Sequence, residues 1–144
     1  MKLPDVNLLI YAYDESSPRH PSAKRWLEET LSGSETVGLA WAVLLAFTRL
    51  STRRVTMSQP FSIEDAIGLV EEWLAAPCAT VLAPTDRHAA VLRDLLTPIG
   101  IGGNLVNDAH LAALAIEHGA TLYSGDSDFS RFPGLNWVNP LESS

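Results

Sequence analysis

Short apolar runs alternate along this chain with longer stretches whose apolar residues recur at helical spacing, and that alternation limits the fold more than any single motif. Leu3 to Tyr11 is continuously apolar rather than alternating, as expected of a strand covered on both faces of a parallel sheet, and is read as the first strand. Pro21 to Leu31 sets Ala23, Trp26, Leu27 and Thr30 on one helical face, and Pro21 is acceptable in a first turn; this helix should end near Gly33. Thr36 to Leu39 reads as a short strand, and Trp41 to Thr52 as a helix carrying Ala42, Leu45, Ala46, Arg49 and Leu50. Ser62 with Asp65 three residues on resembles a capping box. It opens a helix that stops before Pro77, with Ile63, Ala66, Ile67, Val70, Trp73 and Leu74 as its buried stripe.

Thr80 to Ala83 follows as a strand, and Thr85 caps a helix through about Leu96. A glycine-rich loop, Gly100 to Gly103, precedes Asn107, read as the N-cap of a helix from Asp108 to His118 that closes at Gly119. Thr121 to Ser124 is a strand running into Gly125-Asp126-Ser127-Asp128, and a last strand lies near Trp137 to Asn139. Strands alternating with helices predict right-handed crossovers and a mainly parallel sheet of four or five strands with helices on both faces. No repeat or linker divides residues 1–144, so one domain and one site are expected.

Composition narrows the chemistry. With 144 residues, 47% of them hydrophobic, the chain can bury a core without staples. Its single cysteine, Cys78, allows no intrachain disulfide, and no Cys/His cluster has zinc spacing, which suits a reducing cytosol. The first apolar run is too short to span a membrane and lacks a small-residue cleavage site, so no export signal is read. A formal net charge of -7 repels a polyanion overall, so any contact with nucleic acid must be local. Arg49, Arg53 and Arg54, the pair Lys24 and Arg25, and Arg131 are the basic candidates, each equally readable as a solvated helix face. Phosphate-loop, dinucleotide and nucleophile-elbow motifs are all absent.

The acidic residues carry the functional argument as a set. Asp5 interrupts an apolar run, where an unpaired carboxylate is costly. Asp108 opens a late helix, and Asp126 and Asp128 directly follow a strand, at the sheet edge where ligands gather. Singly, Asp108 reads as a helix cap and Gly125 to Asp128 as an ordinary turn. Converging, the four would repel one another unless cations sat among them, and all-oxygen ligation without Cys or His selects hard ions such as Mg²⁺ or Mn²⁺. Such ions promote in-line hydrolysis of phosphodiesters.

These residues resemble a known family. Asp5-Val6-Asn7-Leu8-Leu9, Asn107-Asp108-Ala109-His110-Leu111-Ala112-Ala113-Leu114-Ala115 and Gly125-Asp126-Ser127-Asp128-Phe129 are similar to the PIN-domain ribonucleases, and within them to the VapC-type toxins. The likeness extends to His20, Ala23 and Trp26-Leu27, to Leu45-Ala46-Phe47-Thr48-Arg49, to Gly103-Asn104-Leu105 and to Phe132-Pro133-Gly134-Leu135. It implies a single PIN domain with a three-layer α/β/α sandwich. It further implies a toxin of a type II toxin–antitoxin pair that cuts tRNA or rRNA with Mg²⁺ (or Mn²⁺), is neutralised by a VapB-type antitoxin and forms a homodimer. Asp5 and Asp108 match the principal metal ligands and Asp126 the third acidic position, with Asp128 as helper.

One departure stands out: the place of the usual glutamate in the second helix falls at Ala46. A three-aspartate site or weaker metal affinity is expected, and a fold-retaining RNA- or protein-binding module without catalysis is the alternative. A flap-type DNA nuclease ranks last, because the chain lacks long insertions. Asn7, Thr48, Asn104 and Ser124 are candidates to hydrogen-bond the carboxylates or the phosphate, though caps and turns account for most of them equally well. His110 should face away from Asp108, and His20 and His88 should be helix-end residues. Trp26, Trp41 and Trp73 fit core or dimer contacts, with base stacking as the other reading.

Overall fold

A computed structural model describes residues 1–100 and 102–141. Five strands, β1 (Lys2–Pro4), β2 (Val37–Leu39), β3 (Ala79–Val81), β4 (Thr121–Tyr123) and β5 (Trp137–Val138), form one sheet in the order β3-β2-β1-β4-β5. Every neighbouring pair is parallel. Six helices cover it in a three-layer α/β/α sandwich: α1 (Val6–Tyr13), α2 (His20–Ser32), α3 (Trp41–Ser51), α4 (Ile63–Leu74), α5 (His88–Leu96) and α6 (Leu105–His118). α1 packs on α2 and α3, α3 on α4, and α5 on α6. The chain leaves β1 toward β2 and returns to its other side at β4, so the crevice between the ends of β1 and β4 is the topological switch point.

The first apolar run is not one strand. β1 stops after three residues at Pro4, and Asp5 then caps α1 by accepting the Val6 amide at 2.7 Å. Leu8, Leu9, Ile10 and Ala12 are buried in α1, so its uniform apolarity reflects a helix enclosed by neighbours. A fully covered side chain of this kind contributes about 1.5–3 kcal/mol, which outweighs the weak helix propensity of a mixed apolar octamer.

Most other elements lie where the periodicity put them. Ser62 accepts the Asp65 amide at 3.1 Å, and Gly119 ends α6 at φ 65°, a left-handed conformation that favours glycine. In α4, Ala66, Val70 and Trp73 are buried, but Ile63 and Ile67 of the anticipated stripe are exposed, because the inward face of this helix is narrower than its apolar face. α6 begins earlier than expected. The Leu105 and Val106 amides bond the Gly102 and Gly103 carbonyls, so Asn104 is the N-cap and Asn107 already lies inside the helix. The anticipated Gly100 to Gly103 loop includes Ile101, outside the described residues; Gly100 and Gly103 have φ of 75° and 53°. Trp73 meets Phe47 edge-on at 4.7 Å in the core, Trp26 lies against Tyr123 at 5.4 Å, and Trp41 is half exposed. Among the described residues, no helix is long and apolar enough to cross a membrane.

Candidate metal centre

Parallel pairing brings the first carboxylate to the last. β1 and β4 are in register with Pro4 opposite Tyr123, and the Asp5 amide extends the ladder to the Tyr123 carbonyl at 2.9 Å. Asp5 and Ser124 therefore leave the sheet side by side. The Ser124 hydroxyl, fully buried, donates to Asp5 Oδ2 at 2.7 Å and accepts from Asn7 Nδ2 at 3.2 Å and from the Asp126 amide at 3.0 Å. Its single proton and both lone pairs are thereby used. Asn7 Oδ1 accepts the Gly125 amide at 3.2 Å, and the Trp137 indole donates to the Ser124 carbonyl at 3.0 Å, so β5 steadies the same turn.

Beyond Gly125, Asp126 caps a 3-10 helix (Ser127–Arg131) by accepting the Asp128 amide at 2.9 Å. α6 supplies Asp108 from its N-terminal part. Asp108, Asp126 and Asp128 each offer a carboxylate oxygen within 4.8 Å of the others. Asp5 lies outside this triple; each of its oxygens accepts one hydrogen bond, and its charge is felt at Asp108. Burial first, then the charges of Asp126, Asp5 and Asp128, push the Asp108 carboxyl up to about 6. Burial likewise raises Asp5, against the Ser124 and Val6 hydrogen bonds, and Asp126 adds to the rise. No lysine or arginine lies within ion-pair distance of any of the four among the described residues. The donor set fits a hard divalent cation: carboxylates only, mutually repelling, with no protein cation to neutralise them.

The other sequence candidates divide. Asn7 and Ser124 join the network. The Thr48 hydroxyl instead bonds the Leu44 carbonyl one turn back in α3, at 2.9 Å, and Asn104 is exposed with no side-chain cap bond. Ala46 is half-buried in α3 and offers no oxygen, so the triple draws nothing from that helix.

His110 does turn away from Asp108, and meets a partner that periodicity did not reveal. Its Nδ1 is 2.9 Å from His88 Nε2, and His88 Nδ1 is 2.5 Å from Glu117 Oε2. Glu117 Oε1 accepts the Thr85 amide and hydroxyl at 2.8 and 2.6 Å. His20 begins α2 as expected, with Nδ1 2.9 Å from the Tyr11 carbonyl. Sequence reasoning also passed over Arg19 and Tyr11. Their only signal was position, since both lie in the stretch that follows Asn7.

Residues 2–135 match the PIN domain family. The chain is 51% identical over 140 residues to Ribonuclease VapC37 of Mycobacterium tuberculosis, with 97% of each chain covered. It is 38% identical over 141 residues to Ribonuclease VapC33 of the same species, covering 98% of this chain and 99% of that one. Among solved structures, VapBC2 of Rickettsia felis bound to a promoter DNA fragment superposes with a TM-score of 0.70 at 21% identity, covering 96% of this chain and 97% of that one. Mycobacterium tuberculosis VapC20, a sarcin–ricin loop cleaving toxin, gives 0.68 at 20% identity, covering 94% and 99%. The two structural likenesses establish the fold, and the sequence matches establish kinship: the chain belongs to the PIN-domain family, among its VapC-type ribonucleases.

Proposed function

We propose that this chain is a metal-dependent endoribonuclease, the toxin of a toxin–antitoxin pair, hydrolysing phosphodiester bonds in structured RNA such as tRNA or rRNA. The observation that carries the reading is the gathering of Asp108, Asp126 and Asp128 within 4.8 Å, with Asp5 alongside at the switch point. These residues would hold Mg²⁺ or Mn²⁺, which when bound polarises the phosphodiester and lowers the pKa of an attacking water. The chain's own groups set the stage. Ser124 and Asn7 fix the Asp5 carboxylate and the Gly125 backbone, and the cap holds the Asp126 carboxylate against the Asp128 backbone amide. Asp108, raised to about 6, retains a proton in mildly acidic metal-free protein and must release it for a cation to bind. Asp5, Asp108 and Asp126 are the catalytic set in this reading, with Asp128 an additional ligand.

A VapB-type antitoxin is the partner proposed, because the solved neighbours include VapBC from Rickettsia felis and from Salmonella typhimurium. A basic segment of such a protein would find the acidic site complementary. Trp41 and Leu45, one turn apart on α3 and 49% and 61% exposed, support a homodimer contact. The deciding experiment is incubation of total RNA with purified, antitoxin-free protein in Mg²⁺ or Mn²⁺, beside EDTA and the Asp5→Ala and Asp108→Asn variants. Discrete cuts that vanish with chelator and in both variants are expected. Intact RNA from folded protein that still binds Mn²⁺ would overturn the nuclease reading in favour of a binding module.

A further inference from the structure

Beside the turn that leads from Ser124 to Asp126 sits a cation with no carboxylate in ion-pair reach among the described residues. Arg19 lies at the N-terminus of α2, with its guanidinium carbon 5.6 Å from the centre of the Tyr11 ring. One terminal nitrogen, Nη1, is 3.6 Å from the point where a Cβ on Gly125 would stand; Asn7 Nδ2 and Tyr11 Cε2 are each 3.8 Å from that point. Arg19 thus lies over the turn between Ser124 and Asp126, the turn that carries the site.

Its placement is built in. Ser17 Oγ accepts the Arg19 amide at 3.1 Å, and the next residue, His20, bonds the Tyr11 carbonyl, tying the start of α2 to α1 where the aromatic ring projects. The structural uses of an arginine are nevertheless missing. Arg19 supplies no side-chain cap to α2, and among the described residues its guanidinium makes neither a hydrogen bond nor an ion pair. What remains is an exposed planar fork of donors, held against an aromatic face at the rim of an acidic centre on a chain of net charge -7. A guanidinium matches phosphate oxygens bidentately, and stacking on Tyr11 limits the rotamer freedom lost on contact.

We propose that Arg19, supported by Tyr11, binds a phosphate of the RNA strand next to the scissile position, a role that rests on the nuclease reading above. It is a local positive contact of the kind a polyanion requires on an otherwise repelling surface.

The test is initial-rate cleavage of a labelled single-stranded RNA oligonucleotide in Mn²⁺ across a salt series, for the natural protein and the Arg19→Ala, Arg19→Lys and Tyr11→Leu variants. Arg93→Ala, an exposed arginine on α5, controls for net charge. Binding of the same RNA is followed by fluorescence anisotropy on the Asp108→Asn background. Arg19→Ala is expected to raise KM and Kd roughly tenfold, the size of one charged hydrogen-bonded contact, with kcat changed less. The log–log salt slope should shrink by about 0.7, one single-strand phosphate. Lysine should restore the salt slope but only part of the affinity, Tyr11→Leu should give a smaller rise in KM, and Arg93→Ala should match the natural protein. Unchanged KM, Kd and salt slope in Arg19→Ala, with the natural protein cleaving, would overturn the assignment and leave the nuclease standing. If the natural protein cuts neither this oligonucleotide nor total RNA, the nuclease reading falls; equal Kd with and without Arg19 would remove this assignment whether or not the oligonucleotide is cut.

Discussion

α6 carries two groups of partly buried ionisable side chains that behave in opposite ways. Toward its C-terminal end, Glu117 meets His88 and Thr85, and although burial works against its charge, those hydrogen bonds hold its carboxyl below the usual range. His110, at the far end of the relay, is kept below its ordinary value by burial and by His88. Near the N-terminus of the same helix, Asp108 is raised by burial and by the charges of Asp126, Asp5 and Asp128. One cluster is satisfied by its neighbours and binds α5 to α6. The other is left frustrated and is relieved only by something from outside. That contrast separates a structural network from a site more sharply than residue type does.

The strongest way to break the comparison is Asp108→Asn. Cleavage should fall about a thousandfold, several kcal/mol of lost transition-state stabilisation, while the metal-free protein melts no lower than the natural one because a repelling charge has gone. A large fall in melting temperature would mean that Asp108 is structural after all. Glu117→Ala should do the reverse. Leaving His88 and Thr85 without their buried partner should cost about 3 kcal/mol of stability, read by urea denaturation, with activity retained well below the midpoint.

Ser124→Ala tests the boundary between the two kinds of network, since this hydroxyl is structural in its own bonds and functional in what it orients. Metal affinity should drop roughly 10–100-fold by titration calorimetry, with folding preserved. The smallest effect is in pH. Because Asp108 is raised in the folded state, the native protein binds more protons than the unfolded chain between about 4 and 6. The stability this contributes is present at lower pH and lost as pH rises through 6, whereas His110, depressed by burial, works in the opposite direction over the same range. The Asp108 part is therefore read against Asp108→Asn: between pH 5 and pH 7 the metal-free natural protein should lose more melting temperature, or gain less, than that variant, and saturating Mn²⁺ should reverse the difference because the metal binds the deprotonated carboxylate. Identical pH dependence in the two metal-free proteins would remove the frustration argument.

How much could be read beforehand follows the range of the interactions involved. Local signals were sufficient for α2, α3 and α4, for the Ser62 cap and for the left-handed Gly119, since each depends on residues within one or two turns. Leu3 to Tyr11 misled because a continuous apolar run reports burial, and burial is shared by an enclosed strand and an enclosed helix. The break at Asp5 is visible only once its carboxylate is seen to cap α1 and to meet Ser124, 119 positions away. Asn107 was displaced for a similar reason: Gly102 and Gly103 begin the turn earlier than cap chemistry alone suggests.

The chain by itself determined the α/β alternation, the acidic residues at the ends of strands and helices, and kinship with the PIN domains, because residue types and short spacings carry them. Tertiary structure decided which of those residues meet. It joined Asp108 to Asp126 and Asp128, tied Asn7 to Ser124, turned His110 toward His88 and set Arg19 beside Gly125. For the acidic site the physical reason is parallel pairing of β1 with β4, which brings together the strand ends of two segments separated by most of the chain; for the histidine pair it is the packing of α5 on α6.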